Sequence, residues 1–141
     1  MAEAIFNQKV KEKGLSDRFI ADSAGTANYH VGENPDSRTI DTLRKKGIPV
    51  SHKGQQFTQR LAGNFDYLIG MDHSNIRNMK LELQGSFDDK VMLMRDFDPK
   101  GKGEGVPDPW YGGMDGFEEV YDILNRSIDQ FIHFLTEENH S

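Results

Sequence analysis

Apolar positions recur along the chain with periods that change, and those changes mark the elements. In residues 2–13, Ala2, Ile5, Phe6 and Val10 share one helical face, while Lys9, Lys11, Glu12 and Lys13 lie mainly elsewhere. Gly14 supplies a C-terminal stop. No Ser, Thr, Asp or Asn precedes this helix, so its first-turn N–H groups have no side-chain cap. A short strand is expected over residues 18–21, running into Asp22-Ser23-Ala24-Gly25, and then an irregular loop over 26–33 that carries Tyr29 and His30. Asn34-Pro35-Asp36 reads as a helix start, with Asn34 as N-cap, Pro35 at the first helical position and Asp36 favoured by the dipole. Ile40 and Leu43 form the apolar side of that helix, which Lys45-Lys46-Gly47 closes.

The second half continues the alternation. Residues 57–63 predict a short helix, 65–70 a buried strand, 74–83 a helix and 90–94 another strand. Residues 95–105, with three glycines after Pro99, read as an exposed loop. The final helix is the best marked: Phe117, Val120, Tyr121, Leu124, Ile128, Phe131, Ile132 and Leu135 recur at three- and four-residue steps. Helices alternating with strands predict an α/β domain with a parallel sheet between helical layers. Three strands for so many helices make a thin sheet, and an α/β chain opening on an uncapped helix reads as one that lacks the strand feeding it.

Composition narrows the function classes. A chain of 141 residues suits one domain with a real core. A net charge of -6, with no cluster of Lys or Arg, argues against nucleic acid or an anionic membrane as partner. No apolar run approaches a bilayer span and no signal-peptide pattern opens the chain, so a cytoplasmic location is expected. The absence of cysteine excludes disulfides, thiolate metal sites and any thiol nucleophile among these residues. His52 and His73 have no acidic partners at ligand spacing, so no metal is expected, and no Gly-x4-Gly-Lys-Ser nucleotide loop occurs, so no other cofactor is expected.

The chemistry concentrates in Gly105-Val106-Pro107-Asp108-Pro109-Trp110-Tyr111-Gly112-Gly113. Two prolines stiffen the backbone around Asp108, two aromatics follow, and two glycines let the chain turn. Locally this is either a proline-stiffened turn capping the core or a loop holding a carboxyl beside a flat aromatic surface. Read with Gly116-Phe117-Glu118-Glu119-Val120-Tyr121, it resembles the acid loop and closing helix of the low molecular weight protein-tyrosine phosphatases. Asp22-Ser23-Ala24-Gly25-Thr26, the run from Gly47-Ile48-Pro49 to His52, and the run from Phe65-Asp66-Tyr67 through Gly70-Met71-Asp72-His73-Ser74-Asn75 match the same family in order and spacing.

The resemblance implies a flavodoxin-like α/β/α fold with a parallel sheet, four-stranded in the family. It places the family's first strand and its Cys-x5-Arg phosphate loop ahead of Met1, which leaves three strands and one truncated domain over residues 1–141. It also implies roles. Asp108 matches the general acid, and Trp110 and Tyr111 match the aromatics flanking the substrate ring. Tyr29 and His30 fall on the opposite rim. Ser23 and His52 match residues that orient the phosphate loop, and Asp72 matches a supporting carboxylate. On local grounds Ser23 and Thr26 also suit a turn, His52 a surface position, and Asp72 a helix start.

Two function classes stay open. One is a phosphatase acting on phosphotyrosine proteins or small aryl phosphates through a cysteinyl-phosphate. The other is a non-catalytic, truncated phosphatase-like protein acting as an interaction module or decoy; in either class, unpaired strand edges would allow self-association. A relative of the arsenate-reductase type is a third reading, disfavoured because a bare oxyanion has no ring for Trp110 and Tyr111 to stack on. The 141 residues, having no cysteine, are expected to be inactive alone.

Overall fold

The computed structural model describes residues 1–25, 37–48, 55–107 and 113–138. Helices α1 (Ala2–Glu12), α2 (Ser37–Lys45) and α3 (Gln59–Ala62) precede strand β1 (Leu68–Gly70). Helix α4 (His73–Leu83), a 3₁₀ turn (Asp88–Lys90), strand β2 (Val91–Leu93), a second 3₁₀ turn (Met94–Phe97) and helix α5 (Gly113–Glu138) complete the order. β1 and β2 run parallel, in register Leu68↔Val91, Ile69↔Met92 and Gly70↔Leu93. The fold is α/β.

Side-chain alternation in β1 explains the layering. Leu68 joins Phe57, Ala62, Met79 and Leu83 beneath α3 and α4, with Phe65, Phe87 and Val91 packed around them. Ile69 points the other way, onto the larger cluster built from α1, α2 and α5. Phe131 is the hub of that larger cluster. Its ring centroid lies 6.0 Å from those of Phe6 and Tyr67 and 5.0 Å from that of Phe97, at tilted or edge-on angles typical of aromatic packing. At the rim, Lys9 Nζ on α1 lies 2.8 Å from Asp129 Oδ1 on α5.

Glycine ends α1 and α2 as their sequences predict. Gly14 and Gly47 sit at φ 71° and 73°, the left-handed region where a Cβ is strained. The next residue then bonds back into each helix, Leu15 N–H to Val10 O at 2.7 Å and Ile48 N–H to Leu43 O at 2.9 Å. The expected start of α2 at Asn34-Pro35-Asp36 lies outside the described residues. Thr58 caps α3 by accepting from Leu61 N–H at 3.0 Å.

Two expectations need correction. Residues 18–21 do not form a strand, so the described residues contain two strands rather than three. The strand pattern itself survives: Phe19 and Ala21 pack on the core while Ile20 is 85% exposed. What is missing is a ladder partner, and without one an extended segment is not a sheet strand. The Arg18 N–H instead closes a turn onto Leu15 O, and parallel pairing begins only at the single Gly25↔Gln56 bridge. Residues 95–105 are not simply an exposed loop either. Arg95, Asp98 and Gly101 are buried within it.

Candidate active site

In an open parallel sheet, ligands bind beyond the carboxyl ends of the strands. Here the segments leaving β1 and β2 are joined at that end. Val106 N–H donates to Met71 O at 2.8 Å, so the long β2–α5 connection returns to the residue that follows β1. The approach is close, because a Cβ on Gly105 would stand 3.0 Å from Asp72 Cβ. His73 Nε2 lies 2.9 Å from Gly103 O and adds a second tether.

Asp72 is the N-cap of α4. Its Oδ1 accepts from Asn75 N–H at 2.7 Å, and Asn75 Oδ1 accepts in turn from Met71 N–H at 3.1 Å. The reciprocal pair holds residues 71–75 as one turn. Gly70 permits it, since a Cβ there would meet Ile76 Cδ1 at 2.6 Å.

Ser23 belongs to a different anchor. Its N–H donates to Asp22 Oδ1 at 2.9 Å, and its carbonyl accepts from Gln55 Nε2 at 2.9 Å. Gly25 N–H donates to Gln55 O at 2.8 Å, and Phe57 N–H to Gly25 O at 2.7 Å. Ser23 is therefore fixed beside the segment that follows His52. Among the described residues no hydrogen bond joins Ser23 to Asp72. Tyr29, His30, His52, Asp108, Trp110 and Tyr111 lie outside the described residues. No group of three or more His, Cys, Asp or Glu that could hold a metal is found among those described.

Residues 1–141 match the family model described as low molecular weight phosphotyrosine protein phosphatase. The chain belongs to this family. The low molecular weight phosphotyrosine protein phosphatase of Saccharomyces cerevisiae is 41% identical over 139 residues, covering 94% of this chain and 84% of the yeast protein. That of Schizosaccharomyces pombe is 44% identical over 123 residues, covering 86% of this chain and 78% of its own. Among solved structures, a protein tyrosine phosphatase from Entamoeba histolytica superposes with a TM-score of 0.92 at 33% identity, covering 98% of this chain and 88% of that one.

The structure of this family member also contains an ionic centre that motif reading does not find. Asp98 is 1% exposed. Its Oδ1 accepts from Arg126 Nε at 2.7 Å and from Lys100 N–H at 2.9 Å; its Oδ2 accepts from Arg95 Nε at 2.9 Å and Arg126 Nη2 at 3.2 Å. Burial alone would raise the pKa of this carboxyl. The hydrogen bonds from Arg126, Lys100 N–H and Arg95 outweigh that and hold it below the ordinary carboxylate value. Arg95 reaches on, with Nη1 donating to Gly105 O at 3.1 Å and Nη2 lying 3.3 Å from Glu104 Oε2. Gly101 crosses against the guanidinium, where a Cβ would overlap Arg95 Nη2 at 1.9 Å. One local signal was available: Asp98-Pro99-Lys100-Gly101 suits the Asx turn that the Lys100 N–H completes. Nothing in the helical pattern of α5 singles out Arg126.

Proposed function

We propose that this chain carries the acid and substrate-ring half of a phosphotyrosine monoester hydrolase. Asp108 protonates the departing phenolate, and Trp110 and Tyr111 face the ring with Tyr29 and His30 on the opposite rim. Ser23 and His52 orient the phosphate loop, with Asp72 supporting it. The observation that carries the reading is the Val106–Met71 bond, which fastens the residue two before Asp108 at the carboxyl end of β1. Substrates are phosphotyrosine proteins or small aryl phosphates, met in the cytoplasm.

Aryl phosphate hydrolysis by this route needs a nucleophile, donors for the phosphate oxygens and an acid for the leaving oxygen. The chain has no cysteine. General acid catalysis contributes about 10²- to 10⁴-fold and does not replace a thiolate. These 141 residues alone are therefore expected to be inactive, and the second reading is a non-catalytic phosphatase-like module. The paired aromatics after Asp108 favour an aryl substrate over arsenate.

The test has two stages. The chain alone, free of host phosphatases, should not turn over p-nitrophenyl phosphate. With the family's strand and Cys-x5-Arg loop joined ahead of Met1, phosphotyrosine hydrolysis should appear. Asp108→Ala should then slow esters of basic phenols about 10²-fold or more and activated esters less. Equal losses across phenols of graded pKa would remove Asp108 from the acid role.

A further inference from the structure

We propose that Arg95, Asp98 and Arg126 form a positioning clamp for the loop that presents Asp108. The inference rests on the reading of Asp108 as the general acid. A connected path of bonds runs across the domain. Arg126, on α5, holds Asp98 at 2.7 Å; Asp98 holds Arg95 at 2.9 Å; Arg95 holds the Gly105 carbonyl at 3.1 Å; and the neighbouring Val106 N–H holds Met71 O at 2.8 Å. Only Pro107, with its φ fixed by the ring, separates that last tether from Asp108.

Stability by itself is a weak account of such a centre. A buried ion pair loses much of its Coulombic gain to desolvation, and well-packed apolar side chains often do as well. What three hydrogen-bonded charges supply and an apolar patch does not is a fixed geometry. The guanidinium of Arg95 is the former around which residues 98–105 fold. It is bonded at both ends of that segment, to Asp98 and to Gly105, and Gly101 is pressed against it. Arg126 then ties the assembly to the helix that begins just after the acid loop. The segment that leads into Asp108 is thus referred to one carboxylate, itself anchored on α5. An acid must sit within hydrogen-bond reach of the leaving oxygen, so a displacement of about 1 Å in this segment reaches the reaction without any clamp residue touching substrate.

Amide exchange and Trp110 fluorescence in the 141-residue chain test this without turnover. Trp110 is the sole tryptophan, so its emission reports on the acid loop alone. Arg126→Met keeps the stem and removes the donors. It should speed exchange at the Val106 amide by about tenfold or more while Leu124 and Ile128 change less than about twofold. Trp110 emission and acrylamide quenching should shift with it, and Arg126→Lys should restore part of both. Gly101→Ala is a second variant, which displaces the Arg95 guanidinium while leaving Asp98 and Arg126 in place, and it should loosen Val106 in the same way. Equal loss of protection at Val106, Leu124 and Ile128 would mean the centre only staples the fold. An unmoved Val106 and Trp110 would overturn the clamp outright. Failure of Asp108 in the graded-phenol series, with Val106 loosened as expected, would sink the acid reading and with it the catalytic purpose of the clamp.

Discussion

Arg126 and Asp98 meet across 28 residues of chain. Arg126 Nε donates to Asp98 Oδ1 at 2.7 Å and Nη2 to Oδ2 at 3.2 Å, with the carboxylate wholly buried and the arginine partly exposed. The pair links the final helix to a segment that has no regular structure of its own. It therefore governs stability as well as the placement of residues 98–107.

Asp98→Ala should be among the more costly single substitutions in the chain. It leaves the buried Arg95 with only the exposed Glu104 as a carboxylate partner, and breaking one side of such a buried pair costs about 3–5 kcal/mol. Asp98→Asn should cost less, since the amide oxygen still accepts one or two of the bonds. Urea unfolding of the three proteins gives the order directly; an Ala variant within error of the parent would contradict it.

Acid should weaken the domain through the same carboxyl. The folded-state pKa of Asp98 is lowered, so its contribution is fully present above the unfolded value of about 3.9 and is lost as pH falls through the folded one. Stability measured from pH 6 downward should therefore fall less steeply in Asp98→Asn than in the parent below about pH 4. Parallel curves would assign the acid sensitivity to other groups.

Gly70 and Ile76 should be energetically coupled. A Cβ at residue 70 would meet Ile76 Cδ1 at 2.6 Å and Cγ1 at 3.2 Å. Gly70→Ala should cost about 1–3 kcal/mol by overpacking. Ile76→Val removes the Cδ1 atom, so the double variant should recover part of that loss. Strict additivity in a double-mutant cycle would show that the contact relaxes freely.

Asp72→Ala should cost about 1 kcal/mol through loss of the α4 cap, and Asp72→Asn only a few tenths, because either side chain caps well. Once a thiol loop is joined to the chain, the same pair of variants separates the cap from a catalytic carboxylate. A stable Asp72→Asn protein with reduced turnover would require the charge itself.

In that joined protein, Trp110→Ala should raise KM for aryl phosphates more than it lowers kcat, and alkyl phosphates should scarcely respond. Equal losses for both substrate types would make Trp110 a support for its loop rather than a surface for the substrate ring.

The helices were legible because their signals are local. The three- and four-residue spacing in α5 and the glycines after α1 and α2 act on neighbours within a turn or two, so they can be read without knowing the fold. The family was legible because its motifs keep order and spacing along the chain. For the site, the same motifs single out Ser23, Asp72 and Asp108 as candidates, but that Gly105 and Val106 pack against Asp72 and Met71 is a contact only the fold supplies. Pairing was not legible. Residues 18–21 keep a strand's alternation, yet whether an extended segment becomes a strand depends on a partner elsewhere in the chain. The clamp was hidden for the same reason. Arg95, Asp98 and Arg126 are ordinary surface residue types in sequence, and Asp98 is buried and ionised only because folding brings two guanidinium groups and a backbone N–H onto one carboxylate.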